Sequence, residues 1–136
     1  FAGDKSYAGE IAGLMLRDDK NWPDQVWLVT EFLKSIGGFV DERCGLHVHL
    51  DARKTPDHRI MDNLNSLIPT IKSFCSKHRN DHPNLGSPLF ARRGRYETLE
   101  VRFMEANFDS ERIIDYIKFL VANGYSMEGA ATPCQQ

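Results

Sequence analysis

Two short stretches alternate strictly between apolar and ionisable residues, and they constrain the fold more than anything else in the chain. In "CGLHVHLDAR", residues 44–53, Leu46, Val48 and Leu50 fall on one side, with His47, His49 and Asp51 on the other. In "ETLEVRFME", residues 97–105, Leu99, Val101 and Phe103 face one way. Thr98, Glu100, Arg102 and Met104 face the other. Successive strand residues point to opposite faces, so each stretch predicts a strand with one apolar face. An apolar sheet face must be covered, and helical patterns between the strands supply the cover.

The first helical pattern opens at Pro23-Asp24, with Val26, Val29, Leu33 and Ile36 on one face. Gly37-Gly38 ends it, because glycine tolerates the left-handed cap. A second opens at Thr55-Pro56, threonine as cap and proline in the first turn. Its stripe is Ile60, Leu64, Leu67, Ile71 and Phe74, and Pro69 inside it predicts a kink or a division. Residues 80–95 read as loop. Asp109 or Ser110 then caps a helix with Ile113, Ile117, Leu120 and Val121 on one face, stopping near Gly124. A further strand is expected around Gly9–Met15. The predicted fold class is α+β, a mainly antiparallel sheet with helices on one face. Residues 1–124 are read as a single domain and 125–136 as a loose tail.

Other classes are set aside by composition. The 136 residues suffice for one core, and a formal net charge of -2 gives no general reason to expect nucleic acid. No apolar run approaches the ~18 residues of a membrane helix. The three cysteines, Cys44, Cys75 and Cys134, show no zinc spacing, which reads as free thiols in a reducing, cytoplasmic compartment.

The ionisable faces hold the candidate chemistry. His47 and His49 sit two apart on one strand face, with side chains roughly 7 Å apart. They suit neighbouring parts of one ligand or a shared divalent ion. An HxH pair alone is short and common, and two exposed histidines on a wetted face explain it more simply. Glu100 and Arg102 alone read equally as an exposed ion pair of little worth. Together the two strands weigh differently. If they share a sheet, two imidazoles, a carboxylate and an arginine converge, a costly set to bury without a use. Imidazole plus carboxylate suits Mg²⁺ or Mn²⁺, and arginine suits a phosphate on that ion. Arg92, Arg93 and Arg95, read as part of a loop, are either a solvated basic segment or a clamp on phosphate oxygens. Asp51 reads as a strand-end surface residue or as a support for His49. A barrel hydrolase with an HxH signature needs ~250 residues, so that reading carries little weight here.

"RCGLHVHLD" followed by "TLEVRFMEANFDSERIIDYIKFLVA" resembles the amidoligases of the glutamine synthetase-like carboxylate–amine ligase superfamily. That pattern is a glycine, an apolar residue and H-V-H on one strand, then an E-x-R strand running through an acidic turn into an amphipathic helix. "GEIAGLML" resembles the family's earlier acidic strand, with Glu10 at the acidic position, and Asp4 and Ser6 match a short preceding segment. The resemblance covers roughly residues 4–122. The family's E-x-E strand has no counterpart here, and the asparagine that follows its R-Y pair is absent after Arg95-Tyr96. The expectation is a glutamine synthetase-like catalytic fold lacking its first strands.

The resemblance implies ATP-dependent amide formation, with Mg²⁺ or Mn²⁺ and ATP as cofactors. Phosphorylation of a carboxylate by ATP gives an acyl phosphate, whose phosphate leaves when an amine attacks. Amino-acid, peptide or protein carboxylates and amines are the implied substrates. By the same resemblance His47, Glu100 and Glu10 hold metal, while His49 and Arg92 contact the nucleotide. Arg102, Arg95 and Arg93 stabilise the transferring phosphoryl group. The competing expectation is an inactive ligase-fold scaffold or interaction domain. A truncated sheet edge also invites self-association, so a homo-oligomer is expected.

Overall fold

The computed structural model describes residue 16 and residues 20–41, 44–86 and 88–127. The strand expected around Gly9–Met15, together with Asp4, Ser6 and Glu10, lies outside them.

Five helices and a three-stranded antiparallel sheet make up the described α+β architecture. Helix α1 is Trp22–Ser35, α2 Asp57–Asn65, α3 Ile68–Lys72, α4 Lys77–Asp81 and α5 Ser110–Gly124. The strands are β1 Val48–Asp51, β2 Phe90–Arg93 and β3 Thr98–Val101, in spatial order β1-β3-β2. The two alternating stretches are therefore direct neighbours, with His49 opposite Glu100 and Leu50 opposite Leu99. None of the described helices is long and apolar enough to cross a membrane.

β2 falls in the segment read as loop. It has only four residues, and "FARR" carries no alternation that sequence periodicity can detect. A four-residue turn joins it to β3, with Glu97 at φ +52° closing the loop.

The core lies between the apolar sheet face and the helices. Ile60, Leu64, Ile71, Leu99, Val101, Met104, Tyr116 and Leu120 are fully buried. Burying one such side chain contributes about 1.5–3 kcal/mol. The stripe Ile60–Leu64–Ile71 is thus the predicted one, and it is divided between α2 and α3 next to Pro69. The expected threonine cap is absent: Pro56 occupies that position and no side chain caps α2. On α5, Asp109 accepts from the Arg112 backbone N–H at 3.2 Å. Its buried face runs Ile113, Tyr116, Leu120 and Gly124, leaving Val121 exposed.

On α1 the core side is Val26 and Thr30, so the predicted stripe is rotated. Trp27, Leu28, Phe32 and Ile36 remain at least half exposed. The helix ends as the glycines require. Gly38 N–H donates to Leu33 O at 2.8 Å and Gly37 N–H to Lys34 O at 3.1 Å, with Gly37 at φ +76°.

Met104 departs from its predicted outward orientation. Val48 pairs with Val101, yet Gly45 bridges Glu105, so the β3 side carries one extra residue over this span. That bulge breaks the alternation and turns both Phe103 and Met104 into the core. Tyr125 and Ser126, at the start of the predicted loose tail, are tied to the fold. The Tyr125 hydroxyl donates to Asp51 O at 2.7 Å, and Asn63 Nδ2 donates to Gly124 O and Ser126 O. Residues 128–136, including Cys134, lie outside the described set.

Candidate functional site on the polar sheet face

Glu100 sits at the centre of the middle strand, on the face opposite the core. It is only 4% exposed. An isolated carboxylate there would be costly, and four basic groups compensate it. Arg93 Nε donates to Oε1 at 3.0 Å. Arg102 Nη1 lies 3.4 Å from Oε2. His49 Nε2 lies 3.3 Å from Oε1 and His47 Nδ1 3.4 Å from Oε2. The side chains of His47, His49 and Arg93 stay 39%, 43% and 44% exposed, so the face opens to solvent.

Strand register explains the convergence. His49 and Ala91 flank Glu100 from β1 and β2. Arg93 is two residues along β2, Arg102 two residues along from Glu100, and His47 two before His49. Gly45 lets this end close up. A Cβ there would lie 3.0 Å from Arg79 Nη2 and 3.3 Å from His47 Nε2.

Burial alone would raise the Glu100 carboxyl's pKa. The Arg93 hydrogen bond and the nearby His47, Arg93 and His49 charges outweigh it and hold the carboxyl below its ordinary value. The same hydrogen bond raises Arg93. Two guanidiniums face one carboxylate, so an excess positive charge remains even with both imidazoles neutral. Such a face favours an anion.

Glu100 Oε2 is buried and has no hydrogen-bond partner, the kind of orphan atom a cation would satisfy. Among the described residues no group of three or more His, Cys, Asp or Glu side chains is arranged to hold a metal ion. His49 is committed on both sides, with Nδ1 3.2 Å from the Thr98 hydroxyl. A single carboxylate oxygen, Glu100 Oε2, with the His47 ring 3.4 Å from it, fits Mg²⁺ bound mainly through water and phosphate oxygens and does not fit an ion enclosed by protein.

Of the sequence candidates, the structure brings together His47, His49, Arg93, Glu100 and Arg102. Glu10 lies outside the described residues. Arg92 is not in the group. It pairs with Leu99 on the core-facing side of the sheet, and its guanidinium meets Asp57 of α2 at 2.8 Å. Adjacent strand residues point oppositely, so the arginine cluster is divided between two faces. Arg95 lies in the exposed turn with its guanidinium 5.6 Å from the Tyr96 ring centroid. Asp51 does not support His49. It accepts from Arg53 Nε at 2.9 Å and Nη2 at 2.8 Å, and the Arg53 hydrogen bonds lower it to about 2.

Sequence reasoning missed Thr98 as the partner of His49, although the alternation does place it on this face. It also missed Glu105. That carboxylate accepts from the Ser76 backbone N–H and Arg112 Nη2, both at 2.8 Å, tying the start of α4 and the first turn of α5 to the strand end. Cys44 and Cys75 are free, as expected, and burial pushes the Cys75 thiol up to about 11. Comparison with family models, with curated proteins and with solved structures finds no match for the chain.

Proposed function

We propose that the polar sheet face binds the phosphates of a Mg²⁺-nucleotide, and that the chain is the catalytic portion of an ATP-dependent carboxylate–amine ligase with a glutamine synthetase-like fold. The observation carrying this reading is Glu100, a buried carboxylate with one unbonded oxygen, ringed by two imidazoles and two guanidiniums on an open face. The motif resemblance of the same two strands supplies the reaction class.

In this reading His47 and Glu100 Oε2 would hold the ion, and the motif resemblance alone adds Glu10 to the set. The ion supplies charge neutralisation between two anions, the phosphates and the carboxylate to be activated. His49, held between the Thr98 hydroxyl and Glu100 Oε1, would lie against the phosphates and keep the carboxylate in place beside them. Arg93 and Arg102 turn their remaining N–H groups to the transferring phosphoryl, where charge spread over equatorial oxygens rewards fixed donors. Neutralising the substrate carboxylate would let its oxygen attack the γ-phosphorus with ADP leaving. An amine then attacks the acyl carbon of the acyl phosphate, and inorganic phosphate leaves as the amide bond forms. Amino acids, peptides or protein side chains in the cytoplasm are the substrate class. Arg92 and Arg95 have no part in this step.

Calorimetry of Mg²⁺-ATP binding to wild type, His47→Ala and Glu100→Gln tests the assignment. Loss of affinity in both variants is expected; equal affinity in all three removes it.

One observation favours a second reading, a non-catalytic scaffold that keeps the ligase fold. Arg93, Arg102, His47 and His49 already compensate Glu100, so the cluster can serve as a structural staple. A wild-type protein that binds no nucleotide, and loses stability on Glu100→Gln, establishes that reading.

A further inference from the structure

Arg79 presents a separate problem of buried charge. It is 5% exposed, and its Nη1 has no hydrogen-bond partner. Nε donates to Phe103 O at 3.2 Å and Nη2 to Arg102 O at 3.4 Å, both neutral carbonyls. Desolvation lowers its pKa despite the distant pull of Cys75 and Glu105. Glu105 is itself occupied by Arg112 and the Ser76 N–H. A buried guanidinium without an ion-paired carboxylate is costly, and an anion is the group that would relieve it.

A cleft of about 210 Å³ lies beside this arginine. Lys72 brings a second cation to its lining, and Asn80 and Asn84 bring amides. Asn80 Nδ2 is already spent on Lys72 O at 2.9 Å. The other walls are apolar, with Leu89 and Phe103 among them. A bare phosphate would find cations here but nothing to cover the apolar walls. A carboxylate on a short hydrocarbon body uses both.

We propose that this cleft is a second binding site, for a small carboxylate of amino-acid size, with the carboxylate held by Arg79 and Lys72 and the apolar body against Leu89 and Phe103. The site stands on its own residues and does not depend on the nucleotide reading. It adjoins the first site through the backbone, because the Arg102 N–H donates to Leu89 O at 2.9 Å and Arg102 O accepts from Arg79.

Amide-resolved NMR titration of the full chain tests it, with butyrate, its uncharged isostere butyramide, and inorganic phosphate as probes. Butyrate is expected to shift the Arg79, Asn80 and Asn84 resonances saturably, and butyramide is expected not to. Lys72→Ala removes one cation and Asn84→Asp adds a repelling charge at the rim, so each should weaken butyrate about tenfold or more. Both residues lie away from the core, and spectral dispersion reports the fold directly. Glu100→Gln should leave butyrate binding unchanged, which separates this result from the nucleotide test. Butyramide or phosphate binding as well as butyrate, or full butyrate affinity in both cleft variants, overturns the proposal.

Discussion

Arg93 Nε and Glu100 Oε1 form a 3.0 Å hydrogen bond between a half-exposed guanidinium on β2 and an almost fully buried carboxylate on β3. The asymmetry of exposure decides what each substitution does. Glu100→Gln keeps a similar shape but replaces the charge at the centre of four basic groups. A destabilisation of about 1–3 kcal/mol is expected, the range for disturbing a buried, charge-assisted hydrogen bond. Urea unfolding of the variant beside wild type measures it.

Acid should erase that difference. The Glu100 carboxyl is held below its ordinary value of 4.5 in the folded protein. A group lowered on folding contributes stability that is fully present above its unfolded value and is lost as pH falls through the folded one. The gap in urea midpoint between wild type and Glu100→Gln should therefore be full near neutrality and close progressively below about pH 4.5, since protonated Glu and Gln then carry the same charge. A gap that stays constant into strong acid contradicts the assignment of the cluster as an ionised one.

Arg92 and Arg93 are adjacent in sequence and opposite in consequence. Arg92→Ala removes a mostly exposed guanidinium from its pair with Asp57 of α2, and pairs open to solvent on one side contribute little. Nucleotide affinity should be unchanged and the denaturation midpoint barely moved. Arg93→Ala removes the 3.0 Å hydrogen bond on Glu100 Oε1 and a cation from the open face. Both nucleotide affinity and acid resistance should fall. Parallel calorimetry of the two variants checks the contrast, and similar losses in both would contradict the division of the cluster between two faces.

How far these positions were legible follows from their spacing. His47, His49, Glu100 and Arg102 lie on strands whose alternation runs long enough to read, and a shared sheet was the simplest way to cover two apolar faces. Arg93 was visible as a cation but not as a strand residue. β2 is short, and its ladder partners are set by β3 rather than by its own pattern. The burial of Met104 depends on a bulge between two pairings that no single stretch encodes. Arg79 had no signal. Within "SKHRND" it reads as one more charge on a solvated helix, and only packing against the Phe103 carbonyl makes it a core residue.

The end of α1 offers a test of backbone conformation alone. Gly37 has φ +76° and open space where a Cβ would go, so Gly37→Ala costs only the left-handed strain, about 1 kcal/mol. A Cβ on Gly38 would lie 2.8 Å from the Leu33 carbonyl oxygen, a backbone clash that must shift the helix end. Thermal melts should rank wild type above Gly37→Ala, and Gly37→Ala above Gly38→Ala. The reverse order of the two variants would mean that the helix end closes differently.

The most direct measurement is the Mg²⁺ dependence of ATP affinity in wild type and Glu100→Gln. If His47 and Glu100 Oε2 hold the ion against the phosphates, wild type should bind ATP at least about tenfold more tightly with Mg²⁺ than without it. In Glu100→Gln that dependence should vanish. Metal-free ATP should bind the variant no more weakly than wild type, because a repelling carboxylate has gone while the arginines remain. An unchanged Mg²⁺ dependence in the folded variant, or no nucleotide binding by wild type under either condition, contradicts the account.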